Sequence, residues 1–252
     1  MNFYHKYNSN EVAKYWLTLH QKERNDLKAV IFPNHTLYLN KFFDEMQKFV
    51  ILRALSYLDI SCENKKMLDI GCGRGRWLGF YKSLGAIPLG LDLSKDAVNI
   101  CKKKNFKAIV GDCRHLPFND SSFDVVNSVA VLLHLTFEDQ KIAAKEIMRI
   151  LKPGGLLILL ECTRNDSSPH VFCRSEESWQ DIFRDLNSVF LEAHYFCPLL
   201  RLFWKIPFLG NIDWLENLIV ALQKPWEKLF LSRNFSRQNK KALQHLMIFL
   251  KK

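Results

Sequence analysis

The chain has 252 residues, 48% of them hydrophobic and 25% charged, which is enough to bury one sizeable core. Its seven cysteines are irregularly spaced with no C-x-x-C pair, which argues against a metal site or a disulfide framework and for the reduced thiols of a cytoplasmic protein. The formal charge of +10 is spread along the chain: Lys102-Lys103-Lys104 closes a predicted helix and Arg237 to Lys241 falls in a polar connector, so each reads as a solvated face, with RNA or a membrane surface as the alternative partner.

Met1 to Lys6 lacks the apolar core of a signal peptide, and no uncharged apolar run reaches the roughly 18 residues of a transmembrane segment. Residues 1–64 read as a helical cap. Leu39, Phe42, Phe43, Met46, Phe49, Val50 and Ile51 recur at three- and four-residue steps, and Pro33-Asn34 separates their helix from an earlier one. Tyr4, Tyr7, Tyr15 and Trp16 read as packing residues of this cap, the alternative being a flap over a ligand.

From residue 65 strand and helix signals alternate, so the expected fold class is α/β, a doubly wound and mostly parallel sheet with helices on both faces. Met67 to Ile70 is the first strand, and Asp69 is followed by glycines at 71, 73 and 75 where the chain turns into the helix from Arg76 to Leu84. Glycine tolerates positive φ and lets backbone N–H groups approach a ligand at a helix start. A second strand, Ile87 to Leu91, ends in Asp92, about 20 residues beyond the glycines, the place of a ribose-binding acid in nucleotide-binding α/β units. A third, Ala108 to Gly111, ends in Asp112. Parallel strands direct their C-terminal ends toward one crevice, so the three acids belong to one edge.

Ser94 is the expected N-cap of the next helix. Phe123 to Val131 makes the fourth strand and its exit, Ile142 to Leu151 a helix stopped by Pro153-Gly154-Gly155, and Leu156 to Leu160 the fifth strand. Trp179, Ile182, Phe183 and Leu186 suggest a further helix, Phe190 to Phe196 a strand, and Leu246 to Leu250 the closing strand. The intervening stretch, about 198–235, carries Phe203, Trp204, Trp214, Leu218 and Trp226 among Arg201, Lys205, Lys224, Lys228 and Arg233, and reads as a helical lid insertion.

From about Lys65 to Leu160 these residues resemble the class I S-adenosylmethionine-dependent methyltransferases, in particular the type 11-like members. The Asp-x-Gly-x-Gly-x-Gly form differs from the Gly-x-Gly-x-x-Gly of nicotinamide dehydrogenases. Leu116-Pro117-Phe118, Phe123-Asp124-Val125-Val126, His134-Leu135 and Arg149 to Gly155 extend the match. The resemblance implies a Rossmann-like seven-stranded sheet with an antiparallel last strand, residues 65–252 forming the methyltransferase domain and 1–64 its cap in one compact unit. It implies S-adenosyl-L-methionine as cofactor and no metal. Asp69, Gly71, Cys72, Gly73 and Gly75 would hold the methionine part, Asp92 the ribose hydroxyls and Asp112 the adenine amino group. Leu93 and Cys113 would flank the base, and Ser128 would line the site from the fourth strand.

Methyl transfer is a direct displacement, which demands alignment and exclusion of water. His134 is the candidate catalytic base for a hydroxyl acceptor, with Glu161, Arg164 and His170 on the same rim. The apolar insertion points to a small-molecule or lipid-like acceptor, with peripheral membrane contact. The alternative is RNA, since Ser128 to Leu135 is similar to the tRNA wobble-uridine carboxymethyl methyltransferases, although that family tends to carry Arg where this chain has Leu93. A non-catalytic cofactor-binding regulator is a third reading.

Overall fold

A computed structural model describes residues 6–163, 168–194, 212–233 and 244–252. Two helices, α1 (Ser9–Lys22) and α2 (Leu37–Tyr57), precede the alternating region. There follow β1 (Lys66–Ile70), α3 (Arg76–Ser83), β2 (Ile87–Asp92), α4 (Lys95–Lys103), β3 (Ala108–Val110), β4 (Phe123–Val129), α5 (Phe137–Ile150) and β5 (Leu151–Cys162). The last elements are α6 (Glu176–Ile182), β6 (Leu186–His194), α7 (Asp213–Arg233) and β7 (Gln244–Lys251).

The strands form one seven-stranded sheet in the order β3-β2-β1-β4-β5-β7-β6. Pairs from β3 through β5 are parallel, and β7 runs antiparallel to both β5 and β6. The expected Rossmann-like order is therefore present, and it reverses direction between β1 and β4. Ligands of such sheets bind outside the strand C-termini at that reversal.

Both faces of the sheet are buried, so its strands are apolar at nearly every position. On one face α2 lays Phe42, Phe43, Met46 and Val50 against Met67 of β1, Val125 of β4 and Ile158 of β5. On the other, Ala143, Ile147 and Ile150 of α5 and Trp179 of α6 cover Leu68, Val126 and Leu157. Helix ends follow local chemistry: Asn8 and Glu11 form a capping box on α1, and the hydroxyls of Thr36, Ser94, Thr136 and Ser175 cap α2, α4, α5 and α6.

Two boundaries differ from the sequence reading. α5 passes directly into β5 at Leu151, so Pro153-Gly154-Gly155 lies inside β5, where a register shift between Phe123 and Val125 absorbs it. β6 begins at Leu186, because Phe183 caps α6 at once and the chain turns straight into the edge strand. Of the expected insertion the described part is α7; Phe203, Trp204, Arg201 and Lys205 lie outside the described residues, as do Tyr4, Arg164 and Arg237 to Lys241. No described helix is long and apolar enough to cross a membrane.

Candidate active site

The crevice sits where the loops after β1 and β4 meet. Gly71, with φ of +62°, ends β1 so close to the next loop that an added Cβ would stand 2.6 Å from Val131 Cγ2. Only glycine fits there, both for its backbone angle and for that approach. Gly73, Cys72, Asp92, Leu93, Asp112, Cys113 and His134 join Gly71 in lining one cleft of about 160 Å³. Thus most of the residues that the sequence assigned to the site share one wall.

Asp92 is buried at the end of β2, and its two oxygens accept from Gly73 N and Ser94 N, both at 2.8 Å. It therefore fixes the glycine loop while facing the cleft. Asp112 is gripped by Arg114, whose Nε lies 3.0 Å from each carboxylate oxygen. Burial pushes this carboxyl up, but the Arg114 bonds outweigh it and hold the pKa below the usual value. Leu91, Leu93 and Cys113 add apolar surface beside the two acids.

Three assigned residues stand behind this wall instead of lining it. Asp69 is fully buried in β1; Asn127 Nδ2 donates to its Oδ1 at 2.7 Å, and Tyr81 Oη donates to Asn127 Oδ1 at 2.8 Å. Its Oδ2 has no hydrogen-bond partner among the described residues, and burial raises its pKa to about 7 against the pull of Asn127 and Arg76. Gly75 starts α3 with φ of +86° and abuts Phe106 and Cys101. Ser128 is completely buried on β4 beside Ile70.

His134 closes a short 3-10 turn, Leu132–His134, and its Nδ1 lies 2.9 Å from the His170 carbonyl oxygen. A carbonyl only accepts, so this contact puts the proton on Nδ1 and the lone pair on Nε2, the arrangement a base needs. Glu161, expected on the acceptor rim, is instead fully buried: it accepts from the N–H groups of Val131, Leu132 and Leu133 and so shapes the turn that carries His134. Burial lifts its pKa to about 8 despite those bonds.

The N-terminal cap is the part that sequence reasoning underweighted. Val12, Ala13, Trp16, His20 and Val30 all line the cleft, so α1 lies over the crevice and Trp16 is not merely a packing residue. Trp16 meets His134 edge-on with ring centroids 4.6 Å apart. Arg74, inside the glycine loop, donates to the carbonyls of His20 (2.8 Å) and Glu23, which are orphan acceptors at the end of α1. Lys104 pairs with Asp26 at 2.6 Å, and at the other end of α1 Ser9 bonds Asp139, which also takes Arg114 at 3.2 Å. The helical period of α1 was the available signal, but it does not say which surface the helix covers.

These residues fit S-adenosylmethionine: two acids for a diol and an amino group, apolar edges for a flat base, and an unsatisfied buried carboxylate oxygen behind a glycine loop. The fold and this site define an α/β protein with an acid-lined crevice at its topological switch point. Residues 68–159 match the family model described as a methyltransferase domain. The chain is 41% identical over 92 residues to the tRNA (carboxymethyluridine(34)-5-O)-methyltransferase alkbh8 of Xenopus tropicalis, which covers 36% of this chain and 14% of that protein. It is 36% identical over 107 residues to the demethylmenaquinone methyltransferase of Staphylococcus aureus (strain MRSA252), covering 39% of this chain and 44% of that protein. A solved structure from Pyrococcus horikoshii OT3 shares the fold with a TM-score of 0.58 at 16% identity, over 88% of this chain and 97% of that one.

Proposed function

We propose that this chain transfers the methyl group of S-adenosylmethionine to a small-molecule or lipid-like acceptor in the cytoplasm. The observation that carries the reading is the cap: α1 roofs the crevice with Val12, Ala13 and Trp16, facing Val131, His134 and Leu135. With the cofactor along the glycine loop, Asp92 and Asp112, these apolar walls under α1 suit a compact apolar acceptor, whereas a folded RNA would have to displace α1. The bound cofactor supplies an electrophilic methyl on a sulfonium. The chain's own contribution is to fix the glycine loop through Asp92, exclude water beneath α1, and present His134 Nε2 to an acceptor hydroxyl.

A lipid-like acceptor draws support from α7, where Trp214, Leu218 and Leu222 recur every four residues and are 66%, 46% and 63% exposed. Lys224 on the same helix is paired with Glu45 and adds little free charge. Transfer to RNA is the second reading, favoured by the 41% identity to a tRNA methyltransferase over the cofactor-binding half of the domain. Incubating the protein with cell extract and methyl-labelled cofactor separates the two. Label in small organic-soluble products supports the proposal, and label confined to RNA overturns it.

A further inference from the structure

We propose that His20, a residue of the cap and not of the nucleotide-binding half, is itself a cofactor-binding residue whose Nδ1 pairs with a ribose hydroxyl at Asp92. The inference rests on the methyltransferase reading above. His20 is only 6% exposed, yet its Nδ1 has no hydrogen-bond partner among the described residues. A buried polar atom of this kind calls for a partner, since an unsatisfied one costs stability. The imidazole lines the cleft together with Gly73 and Asp92, and its Cε1 lies 3.9 Å from where a Cβ on Gly73 would stand.

The backbone here is not adjustable slack. Arg74 holds the His20 carbonyl at 2.8 Å, so the loop that cradles the cofactor also sets the position of the imidazole. The charged groups that act on it are Asp92 and Asp96, which favour its protonated form, and Arg74, which with burial opposes it; the net shift is downward. Burial beneath the cap thus disfavours the protonated imidazole.

The chemistry of a diol then completes the set. Each Asp92 oxygen already takes one backbone N–H and has a lone-pair site left, so it can accept a hydroxyl proton but cannot donate one. A hydroxyl that donates to Asp92 presents its own lone pairs to the roof of the cleft. With its proton on Nδ1, the His20 imidazole would be the donor on that roof.

Calorimetric titration with S-adenosylhomocysteine, which binds without turnover, tests this with His20→Phe, which keeps a flat ring without nitrogen, and His20→Asn, which keeps a donor. The ligand-free fold of each is checked by circular dichroism. His20→Phe is expected to bind about tenfold more weakly than the parent and His20→Asn within about threefold. Analogues lacking the 2′- or 3′-hydroxyl should penalise the parent more than His20→Phe. Equal affinity of parent and His20→Phe, or equal penalties, overturns the assignment while leaving the methyltransferase reading intact. If the parent itself fails to bind, that reading fails and the inference falls with it. Should His20→Phe not fold, the ¹⁵N resonance of His20 Nδ1 in the parent decides: a shift with the ligand that is lost with a deoxy analogue supports the role, and no shift overturns it.

Discussion

Asp69 shows how burial changes the titration of an ordinary acid. With its pKa near 7 and Oδ2 unpartnered, a large fraction is protonated at neutral pH in the ligand-free protein. A cofactor ammonium favours the ionised form, so binding of S-adenosylhomocysteine should strengthen as pH rises through about 7 and weaken below it. The lowered pKa of His20 acts in the same direction: the closed cap binds fewer protons than an open one, so closure is lost as pH falls. Calorimetry of Asp69→Asn against pH separates the two, since the variant keeps only the His20 contribution and its profile should be flatter. An unchanged profile would remove Asp69 from the linkage. His134→Ala should lower turnover by about 10²–10⁴-fold, as for loss of a general base, with affinity for the demethylated product almost unaltered. Equal turnover in parent and variant would leave His134 a packing role against Trp16.

At the scale of elements, several residues that carry the family resemblance are scaffold. Arg149 on α5 donates to the carbonyls of Phe118 (2.7 Å) and Leu116 (3.0 Å), and Glu146 accepts Leu116 N, so Leu116-Pro117-Phe118 is a segment tied to a helix. Asp124 likewise joins Lys152 to the N–H of Lys66 across β1, β4 and β5. α7 is fastened to the cap in a similar way: Glu216 accepts from Thr36 N at 2.9 Å and lies 2.8 Å from His35 Nδ1 at the start of α2. Burial raises its pKa, but His35 and Thr36 outweigh that and bring it down to about 2. A depressed acid contributes stability above its unfolded pKa, so this contribution should fade as pH falls from about 4.5 to about 2. Glu216→Gln should cost roughly 1–3 kcal/mol near neutrality. Thermal melts of parent and variant that converge at low pH are the expected result, and parallel melts across the range would contradict it.

Across the whole molecule, what was legible in the sequence is what local chemistry dictates. The acid-ended strands, the glycine loop and the cap at Ser94 all appear where their patterns put them, because φ, apolar alternation and capping are short-range constraints. What stayed hidden depends on long-range placement. The period of α1 does not say that Trp16 and His20 face a crevice built by residues 50 to 120 positions later. Nor does the composition of Glu161 or Ser128 reveal that both are buried, the first holding a turn and the second inside β4. The cap and the domain are joined through Arg74, so loosening one should loosen the other. Arg74→Ala is expected to weaken S-adenosylhomocysteine binding and to speed proteolysis between α1 and α2 in the ligand-free protein. Cleavage at the parent's rate would show the cap to be held by other contacts.

The chemistry open to this crevice depends on which nucleoside cofactor it accepts. Isothermal titration of the intact chain with S-adenosylhomocysteine, repeated with excess NAD, tests this most directly. A single micromolar site unaffected by NAD is the predicted outcome, because the acids at 92 and 112 offer acceptors for a diol and an amino group and the loop after Asp69 lacks the dinucleotide-binding glycine pattern. No binding of the demethylated product, or its displacement by NAD at comparable concentration, would contradict it.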